Sequence, residues 1–272
     1  MVTAHDKIAD AAIYDVADKL QTAARTRQPI APVRAVIGAD NIDAAYAVQR
    51  ELIDRRVAAG GVIVGRKIGL TSPAVQRQLG VDQPDFGVLL ADMEVSSTGS
   101  VPSHRLLQPK VEAEIAFVLR ADLVAGFDDS EHIRAAVDYA VAALEIVDSR
   151  IRQWDITIAD TVADNASAGL FMLGNRRLTL DEFEPREVTM RMYVDDQLVS
   201  HGDGSACLGD PLNALAWLAR AAAAYGEPLL AGQIVLSGAL GPMVVAPPGT
   251  RIHAEIAPLG LLSAHFSFLE ES

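Results

Sequence analysis

Residues 107–119 read "LQPKVEAEIAFVL", an apolar run interrupted by Glu112 and Glu114. In an extended strand, residues two apart share a face. Both carboxylates therefore point one way with Ala116 and Val118, while Val111, Ala113, Ile115, Phe117 and Leu119 point the other. On a helix the same glutamates would stand about 200° apart, so the alternating apolar set selects a strand. Two like charges on one face of an apolar strand repel, and one pKa rises unless a cation lies between them. The residues alone leave two readings: an edge strand whose glutamates face solvent, or a pair of oxygen ligands for a hard ion, Mg²⁺ or Mn²⁺ rather than zinc. "AALEIVDSRI" (142–151) offers Glu145 in a similar apolar frame as a third ligand, with Asp148 on the opposite face.

From "VIVGRKIGL" (62–70) onward the chain breaks into short β-like runs with Gly and Pro between them. They include "GVLLADMEV", "AGLFML", "VTMRMYVDDQLV", "QIVLSGAL", "RIHAEIAPLG" and "LLSAHFSFL", with helical patterns at about 130–142 and 210–225. Such a series predicts a β-rich α+β domain closed into a roll or barrel, not a doubly wound parallel sheet. "DDQ" at 195–197 reads as a hairpin turn. Residues 1–61 read instead as helices. Ile8, Ala11, Ala12, Val16 and Leu20 recur at spacings of three and four, and a second helix begins near Asn41, a cap, and stops at Gly60 and Gly61. "TRQPIAPVRAVIG" (26–38) connects the two.

Half of the 272 residues are apolar, enough for one large domain with a small appendage. No apolar run reaches the roughly 20 residues needed to span a bilayer, and the acid-bearing N-terminal helix is unlike a leader, so a cytoplasmic location is expected. A net charge of -13 and the lack of a basic stripe argue against nucleic acid. An anionic substrate would have to be drawn in by a local cation. The single cysteine, Cys207, excludes an internal disulfide and reads as a small, semi-buried residue in a Gly-rich stretch.

Other polar residues sit in apolar frames. Lys67 lies between Gly65 and Gly69, either an outward edge lysine or a group set close to a ligand. Asp85 in "DQPDFG" is a turn cap or a site carboxylate. Asp164, Asn165 and Ser167 in "DTVADNASAGLF" form a helix cap or a set of hydrogen-bonding groups, and Ser237 in "LSGALGPM" sits in a plain turn or at the lip of a site. Nucleotide-binding, serine-hydrolase and zinc-protease motifs are absent from the sequence.

Taken in order, "GRKIGLTSPAVQRQLGVDQPDFGVLLADM", "LQPKVEAEIAFVL", "LEIVDSRI", "DTVADNASAG", "CLGDPLNALAWLA" and "IVLSGALGPM" resemble the 2-keto-4-pentenoate (2-hydroxypenta-2,4-dienoate) hydratases of bacterial aromatic meta-cleavage pathways, members of the fumarylacetoacetase superfamily. "PIAPVR" and "AAYAVQ" extend the likeness over nearly the whole chain. The resemblance implies a small α-rich N-terminal domain, residues 1–61, followed by a fumarylacetoacetase-like mixed β-roll, residues 62–272. It implies a divalent metal, Mg²⁺ or Mn²⁺, on Glu112, Glu114 and Glu145. Lys67, Asp85, Asn165, Ser167 and Ser237 would line the site. Lys67 would pair with the substrate carboxylate or donate a proton, and Asp85 would tune it or act on water. Homo-oligomers, pentamers or decamers, are implied, and pathway enzymes as possible partners.

The implied reaction is hydration of 2-hydroxypenta-2,4-dienoate to 4-hydroxy-2-oxopentanoate. Three rivals stand beside it. A 2-oxo-3-hexenedioate (4-oxalocrotonate) decarboxylase shares the metal site but needs an extra buried cation for a distal carboxylate. A carbon–carbon hydrolase of the fumarylacetoacetase kind needs a His and Glu pair, for which His104 is the candidate. A scaffold subunit would keep the fold without turnover.

Overall fold

The computed structural model describes residues 4–72, 76, 83–96, 100–124 and 130–268, with side chains described from residue 10 onward. The side chain of Ile8 in the first helical pattern, and residues 73–75 and 77–82 of the "GRKIGLTSPAVQRQLGVD" stretch, lie outside these. Helices α1 (Ala4–Thr26), α2 (Arg34–Ile37) and α3 (Ile42–Ala58) come first. Val16 and Leu20 are buried, and Asn41 caps α3 by accepting a hydrogen bond from the Ala44 amide at 3.1 Å. Gly60 turns the chain out of the helix at φ +98°. The expected boundary at 61/62 falls between α3 and the first strand.

Strands β1 (Ile63–Gly69), β2 (Asp85–Leu90), β3 (Ser100–Val101), β4 (Pro109–Leu119), β5 (Val137–Asp148), β6 (Ala168–Leu173), β7 (Thr189–Val194), β8 (Gln197–Asp203), β9 (Ile234–Leu236), β10 (Val244–Val245), β11 (Arg251–Ala257) and β12 (Gly260–Phe266) follow, with α4 (Ser130–Ala136), α5 (Ile158–Ala163) and α6 (Pro211–Ala224) between them. They form two mixed sheets. One runs β2-β1-β9-β4-β5-β6 with β10 also on β4, and the other runs β3-β12-β11-β7-β8. One apolar core joins α1–α3 to both sheets. The β-rich α+β expectation describes this architecture.

β4 lies inside the first sheet, paired with β9 and β10 on one side and β5 on the other. It is not an edge strand. A central strand must be apolar on both faces, so Glu112 and Glu114 are exceptions that need a local explanation.

The expected helix at 130–142 stops at Ala136, and Val137 opens β5 instead. Alanines at 135, 136, 140, 142 and 143 suit a helix by propensity, yet extended pairing wins. β5 matches β4 from Val137↔Leu119 to Asp148↔Pro109, and a helix through 142 would strip the outer half of β4 of its partners. "GVLLADMEV" is also shorter as a strand, giving way at Ala91 to a single 3₁₀ turn. At the predicted hairpin, Asp195 and Asp196 take φ of 46° and 68°, the left-handed pair a two-residue turn requires.

Candidate functional site

Glu112 and Glu114 share one face of β4, and register places Glu145 of β5 directly opposite Glu112. Oxygens of the three lie within 4.8 Å of one another. Glu114 and Glu145 are wholly buried, while Glu112 keeps an edge toward solvent. Glu114 Oε2 accepts a hydrogen bond from the Gly238 amide at 2.8 Å. Its Oε1 and both oxygens of Glu145 accept none among the described residues. At an effective dielectric of 20, two unit charges at this separation repel by about 3–4 kcal/mol. Burial, then repulsion from Glu145 and Glu112, lifts Glu114 well above the usual carboxylate range. Burial pushes Glu145 up to about 7, against the pull of Lys67.

Lys67 Nζ stands 3.3 Å from Glu145 Oε1. Three carboxylates and one ammonium leave two negative charges, the complement of one divalent cation. The donors are all oxygen, three of their oxygens are buried without hydrogen bonds, and they converge. These residues fit a hard divalent ion.

Lys67 and Asp85 come from the β1–β2 pair, where Lys67 faces Gly87 and Gly69 faces Asp85. The two charged side chains are diagonal neighbours on one face. Glycine at 69 is required by space, because a Cβ there would sit 2.1 Å from Asp85 Oδ1 and 3.2 Å from Lys67 Nζ. Burial disfavours the Lys67 ammonium, but Glu145, Asp85, Glu112 and Glu114 together outweigh it and hold its pKa above the ordinary value. Burial raises Asp85, with Lys67 opposing, and its Oδ1 has no hydrogen-bond partner among the described residues.

The "DNAS" segment forms a left-handed turn in which Asn165, Ala166 and Ser167 have φ of 53°, 50° and 55°. Such a run costs roughly 1–2 kcal/mol per residue and needs fixed partners. The Asn165 amide accepts from Val88 N at 2.8 Å and donates to Val88 O at 2.9 Å, in the manner of a neighbouring strand. Lys67 Nζ donates to Ala166 O at 3.1 Å, and the Ser167 hydroxyl lies 3.3 Å from that of Thr161. Asp164 is buried, raised to about 6 by burial against the pull of Arg150, and ion-paired to Arg150 at 2.5 Å. Asn165 thus spends its side chain on the backbone. Ser237 does likewise: its Oγ accepts from Ile115 N at 3.3 Å, behind the glutamates. Cys207 is fully buried rather than semi-buried, and its Sγ donates to Gly238 O at 2.9 Å.

These groups border a cleft of about 200 Å³, smaller than the roughly 300–1,000 Å³ of pockets for drug-sized ligands. Lys67, Asp85, Glu112 and Ser167 reach its wall; Glu114, Glu145, Asn165 and Ser237 lie behind. His104 is exposed in a 3₁₀ turn and does not line the cleft. Asp148 is turned to the backbone, accepting from the amides of Leu107 and Gln108 at 2.9 and 2.6 Å. Among the wall residues that escape the sequence reading are Lys110 and Trp154. Lys110 lies two residues before Glu112 on the same strand face, a signal present in the K-x-E-x-E alternation. Its Nζ sits 4.3 Å from the centroid of the Trp154 ring.

Comparison with known proteins places the chain in a family. The fumarylacetoacetate (FAA) hydrolase C-terminal family matches residues 67–267. A 2-keto-4-pentenoate hydratase of Paraburkholderia phymatum is 50% identical over 95% of this chain and 98% of its own length. The TodF product hydratase of Pseudomonas putida is also 50% identical, over 94% of this chain and 96% of its own. Among solved structures, 4-oxalocrotonate decarboxylase from Pseudomonas putida G7, complexed with magnesium and adipate, superposes with a TM-score of 0.90 at 33% identity, over 97% of this chain and 98% of that one. The chain belongs to the fumarylacetoacetate hydrolase family, sharing half its residues with that family's 2-keto-4-pentenoate hydratases.

Proposed function

We propose that this protein is a divalent-metal-dependent hydro-lyase that adds water to 2-hydroxypenta-2,4-dienoate, giving 4-hydroxy-2-oxopentanoate in the breakdown of aromatic compounds. The observation that carries the reading is the convergent Glu112, Glu114, Glu145 cluster, joined to Lys67 and Asp85 at a cleft sized for a small acid. Identity of 50% to named hydratases, against 33% to the decarboxylase, selects hydration over loss of carbon dioxide.

Glu112, Glu114 and Glu145 would hold Mg²⁺ or Mn²⁺, which supplies charge stabilisation for an oxyanion developing on the substrate. The remaining chemistry falls to the chain's own groups. Conversion of the dienol to its ketone moves one proton from the C2 hydroxyl and delivers one to C5. Water then adds, hydroxyl to C4 and proton to C3. Asp85 is assigned the proton transfers, because it stands on the cleft wall, its Oδ1 has no hydrogen-bond partner among the described residues, and burial raises its carboxyl above the usual range. Lys67 keeps its charge, orients Asp85 and Glu145, and locks the left-handed turn through Ala166 O. Ser167, on the cleft wall, is assigned to the substrate. Asn165 and Ser237 serve as positioning residues.

The proposal includes a helical unit over 1–61 and a catalytic unit over 62–272, supported by the family match from residue 67 and by every assigned residue lying after 62. It includes a homo-oligomer, pentamer or decamer, and a cytoplasmic location. No helix among the described residues is long and apolar enough to cross a membrane. Decarboxylation of 2-oxo-3-hexenedioate is the second reading, favoured by the likeness of the whole chain to a solved 4-oxalocrotonate decarboxylase. Incubation with Mg²⁺ or Mn²⁺ and each substrate separates them. Loss of dienol absorbance without carbon dioxide supports hydration, and carbon dioxide from the diacid overturns it.

A further inference from the structure

Lys67 is the cation expected to meet the substrate carboxylate, yet its ammonium is already committed to Glu145 and to Ala166 O. Lys110 is not committed in this way. Among the described residues it has no carboxylate within ion-pair distance, and its contact is with the face of Trp154. It projects from β4 on the side of Glu112 and reaches the same cleft wall.

Trp154 is itself held firmly. Its indole Nε1 donates to Gln108 O at 3.0 Å, and the Gln153 amide donates to Gln108 Oε1 at 2.7 Å. Gln108 Nε2 in turn donates to Ser149 O and Ile151 O at 2.8 and 2.9 Å. Gln153 and Trp154 adopt φ of 58° and 56°, a strained turn that brings Trp154 to the cleft wall. An indole face attracts an ammonium without neutralising it. The arrangement keeps the ammonium in place with no hydrogen-bond acceptor taking its protons among the described residues.

Charge balance points the same way. With a divalent ion on the three glutamates and Lys67 beside them, those groups would carry no net charge together, so an anion would gain from them only by direct contact with the ion. Asp85 adds nothing favourable in either protonation state. In an acidic protein the cleft needs one more cation, and Lys110 is the cleft-wall residue that supplies it.

We propose that Lys110, held over Trp154, is the residue that receives the C1 carboxylate of the 2-oxo or 2-hydroxydienoate substrate, with Lys67 left to Glu145 and the Ala166 carbonyl. This rests on the reading of the cleft as a metal-dependent site for such acids. The test is calorimetric binding of pyruvate, and separately of 2-oxoadipate, to the Mg²⁺-loaded protein, beside Mg²⁺ binding alone. Lys110→Met keeps the apolar stem and is expected to weaken both acids by about tenfold or more, the scale of one charged hydrogen bond. Lys110→Arg should restore most of the affinity, and Mg²⁺ binding should not weaken in either variant.

Pyruvate binding unchanged in Lys110→Met overturns the assignment. Weakening confined to 2-oxoadipate also overturns it, by giving Lys110 to a distal carboxylate, and loss of Mg²⁺ binding would make its role structural. Failure of the Mg²⁺-loaded wild-type protein to bind either acid is a different result, which overturns the reading of the cleft itself.

Discussion

Glu112 of β4 and Glu145 of β5 stand directly opposite each other across two paired strands, like charges at a position where sheets ordinarily place opposite or apolar partners. Glu114 extends the violation by one more residue. The structure tolerates it through Lys67 and the Gly238 amide, neither of which neutralises the cluster.

Removing one of the three charges should therefore help the metal-free protein and harm the loaded one. Glu114→Gln keeps an oxygen for the Gly238 amide while deleting a charge. We expect the metal-free variant to gain about 1–2 kcal/mol, or a few degrees in Tm, while Mg²⁺ no longer raises Tm and turnover is lost. Thermal melts with and without Mg²⁺ check both halves. A Tm lower than wild type in chelator would contradict the repulsion argument.

The same cluster sets a pH dependence. In the folded chain Glu145 keeps its proton up to about 7, whereas its ordinary value is 4.5. Between these values the folded state binds more protons than the unfolded state. Stability of the metal-free protein must then fall as pH rises through that window. Melts from pH 5 to 8 in chelator should show the decline, and saturating Mg²⁺ should flatten it, because a cation takes over from the proton. A metal-free protein that grows steadily more stable from pH 5 to 7 would be inconsistent with this.

Asn165→Ala strands the N–H and C=O of buried Val88 and frees the left-handed turn. A cost of about 3 kcal/mol is expected in urea unfolding, from two backbone groups left without partners. Turnover should fall as well, since Ser167 and the carbonyl that holds Lys67 lie in that turn. A loss of activity with no loss of stability would assign the Asn165 amide to the substrate instead.

Gly69→Ala introduces a methyl group 2.1 Å from Asp85 Oδ1, so the carboxylate has to move. Displacement of a proton-transferring group by about 1 Å is expected to cost on the order of a hundredfold in turnover. Mg²⁺ affinity, governed by other strands, should stay within about threefold. Equal losses in both measurements would mean that the sheet, not Asp85, had been disturbed.

The legible parts of this molecule are those where one period dominates. Alternation in "KVEAEIAFVL" marks β4 and the shared face of Glu112 and Glu114, and an acid in a second apolar frame marks Glu145 as their neighbour. Residues 130–142 read as a helix throughout because alanines suit that period, but from Val137 the unpaired edge of β4, a partner distant in sequence, decides for a strand. Asn165 and Ser237 can be located beside the site from their motifs. That their side chains turn to Val88 and Ile115 cannot be read locally, because strand positions elsewhere in the chain decide it. Lys110 was visible in principle, on the parity of Glu112, but Trp154 reaches it only through a strained turn held by Gln108.

The glutamates of β4 also bear on how the sheet finds its pairing. Apolar strands slide easily past one another, since one valine or alanine is nearly as good a neighbour as the next. A slip of one residue between β4 and β5 would turn Glu112 and Glu114 toward side chains such as Leu144 and Ile146, far from Lys67 and the Gly238 amide. The misaligned sheet would bury two charges with no counterpart, at a cost of several kcal/mol each. Residues chosen for chemistry thus also act as a register mark, and the assembly of the sheet is proofread by the same atoms that later serve the reaction.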